Sequence, residues 1–192
     1  ITDRLVALSR ALIGRIRGGL AQVNVLVSMF FAGMNGSVVA DTATVGALVL
    51  PAMKKAGYPA AFSAAVTGVS STIGGIIPPS IMMIVLANAT EISIAALFAA
   101  GIVPGILIGV VIMVINHYFA VKYNFERSDQ PFSVRRAGKE LYRSSFALLI
   151  PLVLVGSVMG GVASVVEAGA ITALVALFTG VFVYRTIKWK DC

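Results

Sequence analysis

The segment Gly33-Met-Asn-Gly-Ser-Val-Val-Ala-Asp-Thr-Ala-Thr-Val-Gly46 sets a polar Asn35-Gly36-Ser37 step between two apolar runs, one from Gly19 to Gly33 and one reaching Met53. As helix, an arm of ~15 residues is roughly 22 Å long, against a hydrocarbon core about 30 Å thick. Neither arm crosses a bilayer comfortably. Two short arms joined by a polar tip read as a re-entrant helical hairpin, its tip near mid-membrane, where irregular backbone persists only against protein or a cavity. Two short tilted spans joined by an external turn are the other reading of the same residues.

The composition explains why lipid is the solvent. Of 192 residues, 58% are hydrophobic and 12% charged, where an average soluble domain carries about 25% charge; the mean hydropathy is +0.96. Between Gly19 and Ala120 the charged residues are Asp41, Lys54, Lys55 and Glu91. A soluble surface cannot be built over that length from so few charges. The formal charge of +7 sits in short segments between apolar runs, a placement that suits anionic lipid headgroups rather than nucleic acid. The single cysteine, Cys192, excludes an intrachain disulfide and a cysteine metal cluster. The chain starts at Ile1 and its basic end follows directly on an apolar run, so an internal fragment of a longer protein is expected.

Outward from the hairpin, residues 1–18 read as an amphipathic helix, with Ile1, Leu5, Leu8, Leu12 and Ile16 at spacings of three and four. It is either an arm in the membrane interface or a cytoplasmic connecting helix. Residues 57–90 form an apolar stretch interrupted by Gly74-Gly75 and Pro78-Pro79. Proline removes a backbone donor and clashes with the preceding turn, so two half-helices with an unwound step between them are expected. Residues 92–120 read as a further span, 121–143 as a basic cytoplasmic loop, and 144–192 as two more transmembrane helices, with Arg185, Lys188 and Trp189 as an interfacial anchor. Positive charge places residues 1–18, Lys54-Lys55, the 121–143 loop and the tail on the cytoplasmic side. That order accommodates the hairpin and two full crossings alike; arm length favours the hairpin.

Helices interrupted inside a membrane leave carbonyls and amides without helical partners. Carbonyl ends can coordinate a desolvated cation, and helix N-termini can hold an anion, the recurring design of ion-coupled secondary carriers. If the two interruptions meet, Asn35, Gly36, Ser37, Gly74 and Gly75 are the candidate metal ligands, mostly through backbone carbonyls, and an oxygen-rich set suits a hard cation such as sodium, by analogy with other hard ions. Asn35, Ser37, Pro79 and Ser80 are the candidate substrate-binding residues, with Asp41, Thr42 and Pro78 in support. An acid at membrane depth is a functional candidate by default; Asp41 either lines the ion site or braces the hairpin. Glu167 is read as a helix cap and His117 as interfacial. One histidine, one terminal cysteine and scattered carboxylates supply no nucleophile–base set and no metal cluster, so no enzyme is expected.

Taken in order, these motifs resemble the large membrane subunit of the TRAP (tripartite ATP-independent periplasmic) transporters. Residues 33–46 look like that family's hairpin tip, Arg17-Gly-Gly-Leu20 its approach, and Pro51 with Gly57-Tyr58 its exit. Gly75-Ile-Ile-Pro-Pro-Ser-Ile81 looks like its discontinuous helix, and Gly101-Ile-Val-Pro-Gly105 follows in the expected order. The resemblance implies an all-α integral membrane protein of the ion-transporter superfamily, an elevator carrier with residues 19–120 as its first transport-domain repeat. It also implies sodium-driven import of dicarboxylates or sialic acid across the bacterial inner membrane. The implied partners are a small membrane subunit and a periplasmic substrate-binding protein; no cofactor is implied beyond the coupling ion. Other readings are a structural membrane subunit and another ion-coupled anion carrier of the dicarboxylate/sodium symporter type. The tip has Asn35 where the family usually has serine, and Ser164-Val-Val-Glu167 stands where the family often has Thr-Pro-Thr-Glu. The family's large subunit is roughly twice as long, so the chain corresponds to the first repeat and the opening helices of the second, and alone should not transport.

Overall fold

The computed structural model describes residues 2–13, 16–125 and 133–180, and among these every regular element is helical. The order is α1 (Thr2–Ile13), α2 (Gly19–Asn35), α3 (Val38–Lys55), α4 (Ala60–Ser71), a 3₁₀ turn (Thr72–Gly75), α5 (Ile81–Thr90), α6 (Ile94–Lys122), α7 (Val134–Met159) and α8 (Val165–Phe178). Ile1, residues 126–132 of the loop and the anchor of Arg185, Lys188 and Trp189 lie outside the described residues.

Helix α2 is the centre. It touches α1, α3, α4, α6, α7 and the 3₁₀ turn, and Ala21, Val23, Val25, Val27, Phe31 and Ala32 are all buried. Ala21 to Val25 are buried in succession, so the helix is surrounded on every side. Helix α3 is one-sided: Asp41, Val45, Val49 and Met53 are buried, at a spacing of four that keeps them on one face. Two polar bonds fasten α2 to α6: Gln22 Nε2 donates to the Met113 carbonyl at 2.8 Å, and Asn116 Nδ2 donates to that of Ala21 at 3.5 Å. A smaller core joins α5 to α8 around Phe98, Val158 and Ala168.

Several boundaries differ from the sequence reading. Helix α1 ends at Ile13 and packs on α2 and α7, with Leu5 and Leu8 buried and Leu12 and Ile16 exposed. Residues 134–143 continue α7 as helix although their charges read as loop, because charge marks exposure rather than backbone state. Pro104 and Pro151 lie inside unbroken helices; among the described residues the Gly-Gly and Pro-Pro run is what breaks one.

Among the described residues two helices, Ile94–Lys122 and Ala137–Met159, are long and apolar enough to cross a membrane, and only 28% and 22% of their most apolar windows are buried. Exposed side chains such as Val103, Leu107 and Val114 on α6 therefore face lipid or another protein, not water. At one end of the bundle Tyr58, Phe62, Phe119, Tyr123 and Phe125 stack on one another, with the Lys122 ammonium 5.8 Å from the Tyr123 ring. Amphipathic rings beside a lysine suit a membrane–water interface.

Candidate functional site

The tip turns in two residues. Helix α2 ends at Asn35, and Gly36 takes the left-handed conformation with φ 59°, which costs glycine little and other residues more. The Gly36 N–H donates back to the Ala32 carbonyl at 3.3 Å. Asn35 Oδ1 accepts from the Ser37 N–H at 3.1 Å, an Asx turn. Ser37 is then the N-cap of α3, its hydroxyl accepting from the Ala40 N–H at 3.4 Å. Past Ala32, the carbonyls of Gly33, Met34 and Asn35 lie beyond the end of the α2 ladder.

The break is longer. Helix α4 tightens into the 3₁₀ turn, where the Ile73 carbonyl accepts from the N–H groups of both Ile76 and Ile77 at 2.9 Å. Pro78-Pro79 follows with a cis peptide bond. The fully buried Ser80 closes the gap: its hydroxyl donates to the Gly75 carbonyl at 2.8 Å and accepts from the Met83 N–H at 3.4 Å, capping α5.

Tip and break meet. The Ile81 N–H, first of α5, donates to the Gly36 carbonyl at 3.2 Å. A Cβ on Gly36 would overlap the Pro79 carbonyl oxygen, and one on Gly74 would stand 3.6 Å from the Ser37 carbonyl. Asn35, Gly36, Ser37, Gly74, Gly75, Pro78, Pro79 and Ser80 thus share one junction. Into it open the N-termini of α3 and α5 and the C-terminal ends of α2 and the 3₁₀ turn. Of the supporting residues, Thr42 stands apart: it is exposed and its hydroxyl donates to the Val38 carbonyl of its own helix at 2.8 Å.

Behind the tip runs a buried polar seam that the sequence reading missed. Asn24 Nδ2 donates to Thr67 Oγ1 at 2.7 Å, Ser70 Oγ donates to Asn24 Oδ1 at 3.2 Å, and Ser28 and Ser70 pair at 3.1 Å. Ser71 Oγ donates to the Thr67 carbonyl at 2.8 Å. The signal was available, since Asn24 and Ser28 are four apart on α2 while Thr67, Ser70 and Ser71 share one face of α4. Asp41 of α3 faces Ser28 and Ser71 across this seam.

The sequence that builds this tip and break has relatives. The family model for the DctM component of the tripartite ATP-independent periplasmic transporters matches residues 1–192. The chain belongs to the DctM family. This is a family of transporter components, not of enzymes, and its members are membrane proteins. The chain is 36% identical over its full length to a C4-dicarboxylate TRAP transporter large permease protein of Pseudomonas aeruginosa, of which it covers 45%. It is 34% identical over 97% of its length to the sialic acid TRAP transporter large permease protein of Vibrio cholerae, covering 44% of that protein. An isethionate TRAP transporter permease protein of Oleidesulfovibrio alaskensis is 33% identical over the whole chain, which covers 31% of it. The chain therefore spans less than half the length of these relatives.

Proposed function

We propose that this chain forms part of the large permease of a sodium-coupled secondary transporter of the bacterial inner membrane. It imports an organic anion handed over by a periplasmic binding protein, and it works beside a small membrane subunit. Residues 19–55 act as a re-entrant hairpin and move with the broken helix as one elevator body.

The observation that supports this reading is the bond from Ile81 of α5 to Gly36 at the tip. It brings two helix N-termini and two carbonyl ends to one junction. Each N-terminus carries about half a positive elementary charge and exposed N–H groups, so the pair suits a carboxylate or sulfonate. The carbonyls of 33–35 and of Gly74 suit a desolvated sodium ion. Gly75 contributes less, because its carbonyl already accepts from Ser80. The relatives' names include C4-dicarboxylate, sialic acid and isethionate, all anions at neutral pH, which agrees with a site built from N-termini.

The test is uptake in proteoliposomes containing the complete transporter, with and without an inward sodium gradient. Uptake should require sodium, and Ser37→Ala should raise the half-saturating sodium concentration several-fold. Because Ser37 also caps α3, Ser37→Thr serves as the control that keeps a capping hydroxyl. Sodium-independent uptake by the unmodified transporter would sink the coupling, and an unchanged sodium curve in Ser37→Ala would remove Ser37 from the site.

A further inference from the structure

Helix α6 carries an apolar stripe that ends on a lysine. Leu107, Val111, Val114, Tyr118 and Val121 are all exposed, and their alternating spacing of four and three keeps them on one face. From Leu107 to Val121 the stripe rises about 21 Å, against roughly 15 Å for one leaflet's half of the hydrocarbon core. A single acyl chain can lie along it for the whole depth of a leaflet. At its end, one turn beyond Tyr118, stands Lys122. The Lys122 ammonium lies 6.0 Å from the Tyr118 ring centroid and 5.8 Å from that of Tyr123, within reach of both π faces. Although Lys122 sits in the last turn of α6, it forms no ion pair and no hydrogen bond among the described residues. A lysine that only satisfied the helix end would donate to the last carbonyls. This one keeps its three N–H groups uncommitted.

The ring cluster brings more positive charge to the same end. Phe125 folds back so that its N–H donates to the Ala120 carbonyl at 2.9 Å, and its ring lies 4.8 Å from that of Tyr58. Lys54 and Lys55 close α3 just before Tyr58. A Cβ on Gly18 would overlap that of Ala120, which places Arg17 beside the end of α6. Four cations thus gather around one set of rings. Between residues 16 and 125 the acids are Asp41 and Glu91. Asp41 is in the first turn of α3, at the other end from Lys54 and Lys55, and Glu91 precedes α6, at the other end from Lys122. Glu126, Arg127 and Asp129, which follow in the sequence, add one net negative charge, too little to neutralise four cations.

We propose that this end of the molecule binds an anionic phospholipid, its phosphate at Lys122 and one acyl chain along the α6 stripe. Arg17, Lys54 and Lys55 attract it from the water side. Positive charge places this end at the inner leaflet, where each basic group adds to the attraction of anionic lipid. A soluble anion would match the cations and leave the stripe bare. A protein segment would match the stripe without needing four cations. An anionic phospholipid matches both. The bound lipid holds the inner end of α6 at headgroup depth, and α6 is the helix whose Gly101 and Gly105 back onto the break. The inference needs only that α6 lies in a membrane, and it is independent of sodium coupling and of the substrate.

The experiment is native mass spectrometry of the complete transporter, purified in neutral detergent and titrated with phosphatidylglycerol or with phosphatidylcholine of the same acyl chains. Size-exclusion profiles report folding. The unmodified transporter should retain phosphatidylglycerol at a several-fold lower concentration than phosphatidylcholine. Lys122→Gln should weaken that retention several-fold, and Lys122→Arg should keep it. Lys139→Gln, an exposed charge on α7, should leave it unchanged. Excess inorganic phosphate should leave the lipid bound. Equal retention of the two lipids overturns the proposal, and so does unaltered retention in folded Lys122→Gln. A loss of the same size in Lys139→Gln also overturns it, because it would reduce the effect to diffuse charge. Displacement by inorganic phosphate would assign the cations to a free anion and overturn it too. If Lys122→Gln does not fold, the double variant of Lys54→Gln and Lys55→Gln decides: unweakened phosphatidylglycerol retention there overturns the proposal.

Discussion

Two neighbouring contacts hold the broken helix, and they use opposite means. The 76–80 segment is clamped by glycines. Gly36 of the tip backs onto the Pro79 carbonyl, and on the other side Gly101 and Gly105 of α6 back onto the Ile76 carbonyl and the Ile77 side chain. The α2–α4 seam, only a turn away, is held by side chains: Asn24, Ser28, Thr67, Ser70 and Ser71. In lipid, helices gain little from burying apolar surface against one another, so close backbone approach and interhelical hydrogen bonds do the joining. The unwound segment has few side chains able to use the second means: Ile76, Ile77, Pro78 and Pro79 carry no polar side-chain group. It is therefore gripped by shape, while the regular helices α2 and α4 are gripped by polarity.

The sharpest way to break this contrast is a methyl group in the clamp. Gly36→Ala forces a side chain into a left-handed conformation, which costs roughly 1–2 kcal/mol. It also overlaps the Pro79 backbone, and overpacking typically costs about 1–3 kcal/mol more. The largest fall in melting temperature of the detergent-solubilised transporter is expected here, with uptake lost. Gly101→Ala should come next, because the atom it meets first is the Ile76 carbonyl oxygen, held in backbone. Gly105→Ala meets the Ile77 side chain. Gly109→Ala meets the flexible Met29 Sδ at 2.6 Å and should cost least. A melt series in any other order would show that the clamp is softer than its geometry.

The seam should respond more weakly. Hydrogen bonds between membrane helices average about 0.6 kcal/mol in double-mutant cycles. Asn24→Ala removes bonds to both Thr67 and Ser70, so a loss of roughly 1–2 kcal/mol is expected. The coupling of Asn24→Ala with Thr67→Val should be near 0.6 kcal/mol. Coupling indistinguishable from zero would mean that the seam is held by packing alone. Uptake should survive these changes better than it survives any of the first two glycine substitutions.

Much of the clamp was legible in the sequence. Asn35-Gly36-Ser37 and Gly74 to Ser80 are interruptions that apolar helices do not tolerate without cause, and each could be read from local chemistry: a left-handed turn residue, missing proline donors, a capping serine. Their meeting was legible only as a condition, since nothing local to residue 36 names residue 81. The seam went unread for a different reason. A serine or asparagine within an apolar run has an ordinary local explanation, back-bonding to its own helix as Ser71 does to Thr67. Only the packing of α2 on α4 shows that these groups also face one another. Asp41 was visible as an anomaly from the start, and what the fold adds is that it is fully buried beside the hydroxyls of Ser28 and Ser71. Residues 134–143 show the opposite failure, where local charge concealed a helix.

The smallest expected effect sharpens the contrast from the water side. At the start of α8, Ser164 and Glu167 form a capping box: the Ser164 N–H and hydroxyl donate to Glu167 Oε2 at 2.8 and 2.7 Å, and Ser164 Oγ accepts from the Glu167 N–H at 3.3 Å. The Ser164 hydroxyl and N–H hold this carboxyl below its ordinary range. Here a serine gives its proton to an exposed acid at a helix start. A carboxyl whose folded pKa is lowered adds stability above its unfolded pKa and loses it as pH falls through the lowered value. Amide protection in the first turn of α8 should therefore drop slightly on acidification below the ordinary glutamate range. Glu167→Gln should flatten that dependence without shifting the melting of the whole transporter, because an exposed cap is shared with water. A large global shift would mean that the turn before α8 is buried against a part of the transporter beyond the described residues.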